Sequence, residues 1–537
     1  MATTFTTALV ARDLVKSYRG RRVLDGVDVL APPGRRLGVI GENGVGKSTL
    51  LRLLAGVEAP DAGLIEGPRE RVYLGQETSF GPTVTLGQAM AAALEPLHRA
   101  VQEVERLSAR LVGEPELAVE FATVLEWAQS HDAWDADRRA TIAAHRLGLA
   151  RIEPDRPVAT LSGGQRSRLA LALIMTGRPT CLLLDEPTNH LDDGALELLE
   201  QFLVGLATVV VVASHDRVFL DRACTDLLDL DPAKSLDGRS SGVRYHGGYS
   251  SYLEHKAAAR VRWETTYAEQ QEAIAALRRA SKLDTASIAH NRGPTDNDKF
   301  IYKFKGASVE RSHARRLHNA RRRLAVAERT QVPKPPRQLS FDTPLTSTPT
   351  GQRPVVAIRD LLVRGRVRVP RLELANGGQL LVTGSNGSGK SSLLAVIAGT
   401  LSPDSGSVEV GARRVGLLMQ DVQFDNPELS AQRCFERQVG ADRASCLTEL
   451  GLLPPRQLGM PVGELSVGQR RRLALAILVA RAPDLLLLDE PTNHISLALA
   501  GELEQALQAA AGAVLVASHD RWLRRRWSAG ELSLRCV

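Results

Sequence analysis

Two kinds of hydrophobic pattern occur in both halves of the chain, and together they predict an α/β fold. Continuous apolar runs of strand length occupy residues 37–40 and 181–184 in the first half and 380–382 and 485–488 in the second. Leucine-rich segments with helical spacing follow the first run of each half. Buried parallel strands form such continuous runs, whereas helices repeat their apolar positions about every 3.6 residues. We therefore expect two copies of one α/β domain.

Matched positions indicate that the second half repeats the first, with one insertion. Three later pairs are each 304 positions apart, whereas Lys47 and Lys390 are 343 apart, so the first half holds 39 additional residues. The three pairs are Ser162 and Ser466, Asp185 and Asp489, and His215 and His519. The additional residues fall near 92–146, where Gly113 and Pro115 interrupt a helical pattern. This pattern predicts a helical hairpin that projects from the first domain.

The segment between the two copies predicts a second helical hairpin. Residues 251–283 and 307–330 have helical spacing, and Gly293–Pro294 breaks the stretch that connects them. Prolines then recur from Pro333 to Pro354, which is typical of an extended connector. The predicted domains are a first α/β domain at 1–249 with its helical arm at 92–146, a helical-hairpin linker at 250–337, a proline-rich connector at 338–354 and a second α/β domain at 355–537.

Composition and length exclude several classes of protein. With 537 residues and 43% hydrophobic content, the chain can bury two or three domain cores. No apolar run reaches the roughly 18 residues that a membrane-spanning helix needs, and the N-terminus lacks a secretory pattern. The five cysteines are scattered and show no paired metal-binding spacing. These features predict a cytoplasmic protein without a transmembrane domain.

Positive charge is concentrated in the predicted linker. Residues 256–337 contain 19 Lys and Arg against 8 Asp and Glu, a net charge of +11, so the rest of the chain carries −4 of the formal +7. A charged helix surface is often simply solvated, and that interpretation stays open for a cluster such as Arg321–Arg323. An excess confined to one segment favours a polyanionic partner such as RNA.

Two glycine-rich loops have the form of P-loops, which bind nucleotide phosphates. Each follows an apolar strand and opens a helix, the context that this motif requires. Backbone N–H groups can surround phosphate oxygens, the lysine supplies positive charge, and the next serine can hold Mg²⁺. The candidate ATP-binding residues are Gly41, Asn43, Gly44, Gly46, Lys47, Ser48 and Thr49 in the first loop and Gly384, Asn386, Gly387, Gly389, Lys390, Ser391 and Ser392 in the second.

Two acidic residues end a buried strand in each half. Asp185 and Glu186 follow one apolar run, and Asp489 and Glu490 follow the matching run. Adjacent carboxylates at such a position are costly unless they bind a cation and a water. We therefore expect both aspartates to assist Mg²⁺ and both glutamates to act as general bases toward the water that attacks ATP.

A serine-glycine motif lies 23 positions before each acidic strand end and carries a resemblance to a known family. Its candidate residues are Ser162, Gly164 and Gln165 in the first half and Ser466, Gly468 and Gln469 in the second. Either motif alone fits an ordinary helix N-cap. Together with the P-loops, the pair resembles the signature of ATP-binding-cassette (ABC) proteins. That resemblance implies head-to-tail domains, in which Lys47 shares a site with Ser466 and Lys390 shares one with Ser162.

The same resemblance implies roles for four further residues. Gln76 and Gln420 resemble the family's Q-loop, which helps to hold Mg²⁺ and ATP. His215 and His519, each in Ala-Ser-His-Asp, resemble its switch histidine and complete the predicted catalytic residues.

Two departures from the family pattern predict that the ATP sites differ. Tyr18 matches the aromatic residue that stacks on adenine, whereas the corresponding stretch of the second half has no aromatic residue and contains Arg364. Asp192 fits the family's D-loop, whereas Ser496 replaces it in the second copy. The two sites are therefore not expected to be equivalent.

Further motifs resemble the ABC-F family of ribosome-associated ATPases. They are Pro187–His190 and Pro491–His494, which follow the acidic strand ends. Within that family, the segment Asn291–Lys299 and the aromatic residues after it resemble the linkers of antibiotic-resistance members from antibiotic-producing actinomycetes. The candidate RNA-contacting residues are Lys299, Phe300, Tyr302, Lys303, Phe304, Lys305, Arg315, Arg316, Arg321, Arg322 and Arg323. The aromatic residues either pack the tip against its own helices or reach nucleotides near a bound drug.

The resemblance implies an ATPase that protects the ribosome from an antibiotic. It also implies a monomer, in which the two domains of one chain form the ATPase pair. ATP binding would close the domains on the ribosome, hydrolysis would release them, and the linker would displace the drug. Three alternatives stay open: a housekeeping translation factor of the same family, the ATPase subunit of an exporter with a separate membrane partner, and a DNA-repair ATPase. The missing zinc-type spacing and the short stretch after His519 weigh against the last. Macrolide, lincosamide and streptogramin A all stay open as the drug class.

Overall fold

A computed structural model describes residues 7–42, 44–76, 80–189, 191–231, 242–282, 315, 317–335, 345–347, 353–385, 387–440, 446–450, 452–493, 495 and 497–535. They fall into two compact units. The first contains the described residues of 1–235, 239–251 and 339–537, and the second contains those of 252–338. Along the ranges described, no helix combines the length and apolar content needed to cross a membrane.

The first α/β domain contains one antiparallel and one mainly parallel sheet. Its strands are β1 (Leu9–Tyr18), β2 (Arg21–Ala31), β3 (Arg36–Ile40), β4 (Ala62–Glu66), β5 (Val72–Leu74), β6 (Cys181–Asp185), β7 (Val209–Ala213), β8 (Asp226–Asp229) and β9 (Val243–His246). The antiparallel sheet has the order β2-β1-β4, and the larger sheet has the order β5-β6-β7-β3-β8-β9. Strand β9 runs antiparallel to β8.

The second α/β domain repeats this arrangement. Its strands are β10 (Val356–Val363), β11 (Val367–Leu374), β12 (Gln379–Thr383), β13 (Ser405–Val410), β14 (Val415–Leu418), β15 (Leu485–Asp489), β16 (Ala513–Ala517) and β17 (Gly530–Ser533). The sheets have the orders β11-β10-β13 and β14-β15-β16-β12-β17. These sheets and the helices packed on them confirm the predicted pair of α/β domains.

Helices cover the sheets and form the arm. They are α1 (Lys47–Ala55), α2 (Leu86–Arg110), α3 (Ala118–Ser130), α4 (Ala136–Arg146), α5 (Gly163–Gly177), α6 (Asp193–Val204), α7 (Arg217–Ala223), α8 (Tyr249–Lys282), α9 (Lys390–Ile397), α10 (Ala431–Val439), α11 (Cys446–Glu449), α12 (Pro455–Leu458), α13 (Val467–Arg481), α14 (Leu497–Gln508) and α15 (Arg521–Arg526). Helices α2 and α3 form the helical insertion and bury Leu97, Val104 and Ala128 between them. Helix α2 begins at Leu86 because Thr85 and Gln88 form a capping box.

The parallel strands bring the predicted chemistry of each domain to one sheet edge. Strand β7 pairs on one side with β6 and on the other with β3. Strand β16 likewise pairs with β15 and β12. Because the carboxyl ends of parallel strands lie at one edge, each P-loop is next to its Asp-Glu pair.

The second unit contains the base of the linker hairpin. Helix α8 is accompanied by a helical segment over residues 317–330. Trp263 Nε1 donates to the carbonyl of Pro333 at 2.9 Å, and Arg278 Nη2 lies 2.7 Å from Glu328 Oε1. The partners of later residues in α8 lie earlier in the returning segment, so the two run antiparallel. The predicted tip at 284–306 lies outside the described residues, and the limits of the predicted domains stay predictions.

Candidate functional site

Both P-loop lysines are folded back onto their own loops. Lys47 Nζ donates to the carbonyl of Gly41 at 2.9 Å, and Lys390 Nζ donates to the carbonyl of Gly384 at 2.8 Å. Burial is the main cause that lowers the pKa of Lys47, although neighbouring carboxylates, Glu186 first, oppose it. Each lysine is therefore held at the start of a helix, where phosphate oxygens are stabilised by backbone N–H groups.

Glycine is required where each P-loop enters its helix. Gly46 has φ 116°, and Gly389 has φ 89°, both in the left-handed region. A Cβ at Gly389 would lie 2.2 Å from the carbonyl oxygen of Arg366, and one at Gly46 would lie 2.8 Å from the side chain of Leu24. The close approach of backbone at these points shapes the loops for phosphate.

The acidic strand ends fit a divalent cation. Asp185 Oδ1 and Asp489 Oδ1 are buried without a hydrogen-bond partner. The Ser391 side chain hydrogen-bonds Asp489, and Gln76 Nε2 lies 3.4 Å from Ser48 Oγ. A buried carboxylate oxygen without a donor is costly unless a cation satisfies it. Asp185 and Asp489 therefore suit Mg²⁺. The full predicted sets, Ser48, Gln76 and Asp185 in one domain and Ser391, Gln420 and Asp489 in the other, stay predictions.

Glu186 and Glu490 both have left-handed backbone conformations. Their φ angles are 51° and 48°, which non-glycine residues rarely adopt. The Glu186 N–H donates to the carbonyl of Ala213 at 2.9 Å, and the Glu490 N–H donates to that of Ala517 at 2.8 Å. Such strain costs about 1–3 kcal/mol and persists where the surrounding structure fixes it. Each predicted base is thus fixed at the end of its strand by the neighbouring strand.

In the first domain, the predicted base is buried and its histidine contacts the P-loop lysine. His215 Nε2 lies 2.9 Å from Lys47 Nζ and 3.4 Å from Glu186 Oε1. Burial raises the pKa of Glu186 to about 8, partly offset by Lys47. Tyr73 donates its hydroxyl to Asp185 Oδ2 at 3.4 Å, and burial raises the pKa of Tyr73 to about 12.

In the second domain, the predicted base is buried as well and contacts its histidine and a serine. His519 Nδ1 lies 2.8 Å from Glu490 Oε1, and the hydroxyl of Ser518 donates to Glu490 Oε2 at 3.3 Å. The hydrogen bond with Glu490 is the main cause that raises the pKa of His519 above its ordinary value. In both domains the backbone N–H of the histidine donates to the glutamate, at 3.2 Å in the first and 3.3 Å in the second. The two matched sites therefore differ in the side-chain contacts of their carboxylates.

The signature motifs cap helices α5 and α13. Ser162 Oγ accepts from the N–H of Gln165 at 3.2 Å, and Ser466 Oγ accepts from that of Gln469 at 3.3 Å. In α13, Arg472 Nη2 lies 2.7 Å from Glu42 Oε1 in the first P-loop. The contact joins the second signature helix to the first P-loop, which is the pair of elements that a head-to-tail arrangement brings together. The sharing of a single ATP site stays a prediction.

Buried ion pairs that sequence reasoning missed join the two α/β domains. Arg217 Nη2 lies 2.6 Å from Asp520 Oδ2 and also contacts Glu504, and its side chain is only 2% exposed. The matched Arg521 Nη2 lies 2.7 Å from Glu200 Oε1 and 3.0 Å from Asp216 Oδ2. The members of the two clusters repeat at the spacing of 304, so that spacing was the available signal.

An aromatic contact extends one of these clusters. Trp522 packs edge-on against Tyr249, with ring centroids 5.3 Å apart, and Arg217 Cζ lies 5.7 Å from the Trp522 ring. Tyr249 is buried and is the first residue of α8. The first turn of this helix is therefore packed where the two α/β domains meet.

A cavity of about 1770 Å³ contains most of the predicted site residues from both domains. They are Gly44, Gly46, Lys47, Ser48, Thr49, Gln76, Glu186, Asp192 and His215 with Gly384, Gly387, Gly389, Lys390, Ser391, Ser392, Gln420, Asp489, Glu490 and His519. Of the predicted residues that the structure describes, Tyr18, Gly41, Asp185 and the signature residues do not line it. The cavity therefore combines the phosphate and acidic parts of both sites.

The two positions expected to face adenine differ as predicted from the sequence. Tyr18 donates its hydroxyl to Glu58, and Lys16 Nζ lies 5.7 Å from the ring centroid. Arg364 is exposed, and its N–H donates to Asp404 Oδ2 at 2.8 Å. The role of either residue toward adenine stays a prediction.

Several predicted residues cannot be placed. Asn43, Asn386, His190, His494 and Ser496 lie outside the described residues, as do Arg316 and all the tip candidates from Lys299 to Lys305. Arg315, Arg321, Arg322 and Arg323 are described and exposed. Exposure is compatible with RNA contact and equally with a solvated face.

Paired P-loops, acidic strand ends and signature helices in one chain define a tandem ATP-binding-cassette protein. The family described as ABC transporter matches residues 24–189 and 367–493. The chain is 40% identical to the tylosin resistance ATP-binding protein TlrC of Streptomyces fradiae, over 100% of this chain and 98% of that protein. It is 31% identical to the energy-dependent translational throttle protein EttA of Escherichia coli, over 94% of this chain and 88% of that protein. The chain thus belongs to the ABC-F family of ABC ATPases.

A solved structure shows the same fold at low sequence identity. It is the archaeal ribosome recycling factor aABCE1 in complex with the ribosomal stalk protein aP1, with a TM-score of 0.54 and 17% identity. The match covers 95% of this chain and 85% of that one. The likeness supports the tandem ABC fold.

Proposed function

We propose that this protein is a cytoplasmic, ribosome-associated ATPase that protects the ribosome from an antibiotic. The observation that carries the proposal is the full-length similarity to a tylosin resistance protein, in a chain with two complete ABC motif sets and a basic linker. ATP binding favours the closed domain pair and ribosome binding, and hydrolysis favours release. The chain acts as a monomer whose two domains form the ATPase pair.

The hydrolytic step assigns one role to each group of residues. A water attacks the terminal phosphorus of ATP, its proton passes to Glu186 or Glu490, and the bond to the bridging oxygen breaks to give ADP and phosphate. Lys47 and Lys390 stabilise the phosphate charge, and His215 and His519 orient the bases that they contact. Mg²⁺, when bound, neutralises charge on the phosphates.

The linker is the proposed effector. Its net charge of +11 favours binding to RNA phosphates, and Arg321, Arg322 and Arg323 are exposed on its returning segment. The three aromatic residues between 300 and 304 suit stacking on unpaired bases. The tip thereby displaces the drug from the ribosome.

A second candidate function is that of a translation factor without drug specificity. The similarity to a translational throttle protein over most of both chains favours this alternative. A translation factor of this kind has the same ATP chemistry and the same ribosomal partner, so ATPase assays do not separate the two. Drug susceptibility does.

The decisive experiment expresses the chain in a sensitive host and measures susceptibility to macrolides, lincosamides and streptogramin A. We expect raised resistance to at least one class. A variant in which residues 294–304 are replaced by a Gly/Ser loop should lose protection while it still hydrolyses ATP and sediments with ribosomes. Unchanged susceptibility to every class would reject the resistance function and leave the translation factor.

Ribosome binding is tested separately with the Glu186→Gln, Glu490→Gln double variant. This variant should bind ATP, accumulate in the closed form and cosediment with ribosomes more than the parent does. Cosedimentation with membranes instead of ribosomes would favour the exporter alternative.

A further inference from the structure

Arg471 is a buried arginine next to the second predicted base. It lies on α13 and is only 2% exposed. Its Nη1 donates to the carbonyl of Gln420 at 3.0 Å, and its Nη2 donates to the carbonyl of Asp489 at 2.6 Å and also to that of Glu490. One guanidinium thus joins the Q-loop to the acidic strand end.

Burying a guanidinium is unfavourable unless its donors and charge are satisfied. The three carbonyl oxygens accept from Nη1 and Nη2, whereas Nε is buried without a hydrogen-bond partner. The carboxylates of Asp489, Glu490 and Asp421 lie close enough to favour the charge, although burial opposes it. The planar fork of arginine can reach two chain segments at once, which the single ammonium of lysine cannot do. The residue type therefore fits a bridging role.

The bridged carbonyls belong to the residues whose orientation matters for hydrolysis. Glu490 has the strained φ of 48°, and the donation to its carbonyl fixes the peptide group that follows this angle. Because the guanidinium uses the backbone oxygens, the side chains of Asp489 and Glu490 stay available at the cavity that they line. The same guanidinium holds the backbone carbonyl of Gln420, which also lines the cavity.

The first domain has no such bridge among the described residues. The position that matches Arg471 at the spacing of 304 is Ser167, whose hydroxyl donates to the carbonyl of Gly163 within its own helix at 3.1 Å. Asp185 instead receives a hydrogen bond from Tyr73. Within the described ranges, the bridge therefore occurs in the second site and not in the first.

We propose that Arg471 is a positioning residue, which aligns Glu490 and Gln420 for ATP hydrolysis at the second site. This inference rests on the proposed ATPase function. Arg471 does not reach the reacting atoms itself. It acts by holding the backbone on both sides of the second site.

The test compares Arg471→Met, Arg471→Lys and the control Arg470→Met. Arg470 precedes Arg471 on α13 and makes none of the three carbonyl bonds. To isolate the second site, kcat is measured in chains that also carry Glu186→Gln. For Arg471→Met in this background we expect kcat to fall by about tenfold or more, because misplacing a catalytic group has effects of this size, with KM for ATP changed less than about threefold. The lysine variant should retain an intermediate kcat, and the control should match the parent.

A second readout does not depend on activity. Hydrogen exchange of the amides at 489–493 in the nucleotide-free protein should become faster in Arg471→Met and stay unchanged in Arg470→Met. Should Arg471→Met fail to fold, Arg471→Lys alone decides, because full activity in that variant contradicts the bridging role.

Three outcomes would overturn the inference. One is a parent-like kcat in Arg471→Met, and another is an equal loss of kcat and ATP affinity together with a lower melting temperature. The third is unchanged exchange at 489–493. A parent chain without ATPase activity would reject the proposed function and this inference together, whereas an active parent and an equally active Arg471→Met variant reject the inference alone.

Discussion

The two ATP sites have the same motifs but hold the predicted base in different ways. In the first site, Glu186 is buried near Lys47, and its histidine lies closer to the lysine than to the carboxylate. In the second site, Glu490 is hydrogen-bonded by His519 and Ser518. A repeated motif thus fixes where a catalytic group lies without fixing the side chains that contact it.

The difference follows from a few neighbours. Where the first domain has Tyr73 beside Asp185, the second has Arg471 behind Asp489 and Glu490. Where the first domain has Tyr18, the second has Arg364 at the corresponding stretch. The two sites are therefore expected to differ in how pH affects their stability and in nucleotide affinity.

The largest effect concerns the two bases. The double variant Glu186→Gln, Glu490→Gln should lose turnover by about 10²- to 10⁴-fold, the contribution of general-base catalysis. The single variant Glu186→Gln should cost less at neutral pH than at about pH 9, because burial raises the pKa of Glu186 to about 8 in the nucleotide-free protein. Steady-state ATPase assays at several pH values measure both effects. A loss for Glu186→Gln that is the same at every pH would contradict the second of them.

The next effect compares the two ion-pair clusters between the domains. Arg217→Ala should lower the free energy of unfolding by about 3–5 kcal/mol, because Glu504 and Asp520 would keep buried charges without a partner. Arg521→Ala should cost less, since Arg521 is 11% exposed and lacks the contact that Arg217 makes with Trp522. Denaturant unfolding of both variants gives the comparison. A larger loss of stability for Arg521→Ala than for Arg217→Ala would contradict this ranking of the two clusters.

A third effect concerns folding stability, which the Glu→Gln change should raise in the first site and lower in the second. Between pH 4.5 and about 8, folded Glu186 holds a proton that the unfolded chain has lost, so its contribution to stability decreases as pH rises. Glu186→Gln should therefore stabilise the nucleotide-free protein relative to the parent, by a few kcal/mol at most, above about pH 8 and have little effect near pH 5.

Glu490→Gln should change stability with the opposite sign and at lower pH. The raised pKa of His519 contributes stability below the ordinary value of 6.5, and this contribution is lost as pH rises through the folded pKa. Removing its carboxylate partner should therefore destabilise the protein most at about pH 6. Melting curves of both variants at low and high pH test the pair. A Glu186→Gln variant less stable than the parent above about pH 8, or a Glu490→Gln variant as stable as the parent at about pH 6, would contradict it.

The smallest effect concerns adenine. Tyr18→Ala should weaken nucleotide binding to the first site by about tenfold, the scale of one lost aromatic stacking contact. Arg364→Ala should weaken binding to the second site by less, because arginine stacks less extensively. A fluorescent nucleotide titration in chains with the other P-loop lysine changed to alanine resolves the two sites. Equal losses would mean that Arg364 replaces the aromatic residue fully.

Apolar runs and motif spacing were sufficient to predict the two α/β domains and the phosphate-loop and acidic residues that line the cavity. The runs at 181–184 and 485–488 form β6 and β15, and the acids after them lie beside the P-loops. These features are local, because a buried strand and a P-loop each depend on consecutive residues.

The contacts that distinguish the sites are not local. The pairing of Arg217 with Glu504 and Asp520 crosses between domains, and a spacing of 304 shows that residues correspond without showing which ones meet. Arg471 lies in a run of three arginines, which resembles a solvated helix face, yet it is buried. The pKa of Glu186 depends on burial, which only packing determines.

The packing of Trp522 against Tyr249 gives the protein an internal optical reporter. Trp522 lies edge-on to a buried tyrosine and near the Arg217 guanidinium, at the junction of the two α/β domains. Indole emission shifts to longer wavelength when water reaches the ring. In a chain whose other four tryptophans are replaced by phenylalanine, we expect the fluorescence of Trp522 to follow the opening and closing of the domain pair in real time, without an attached dye.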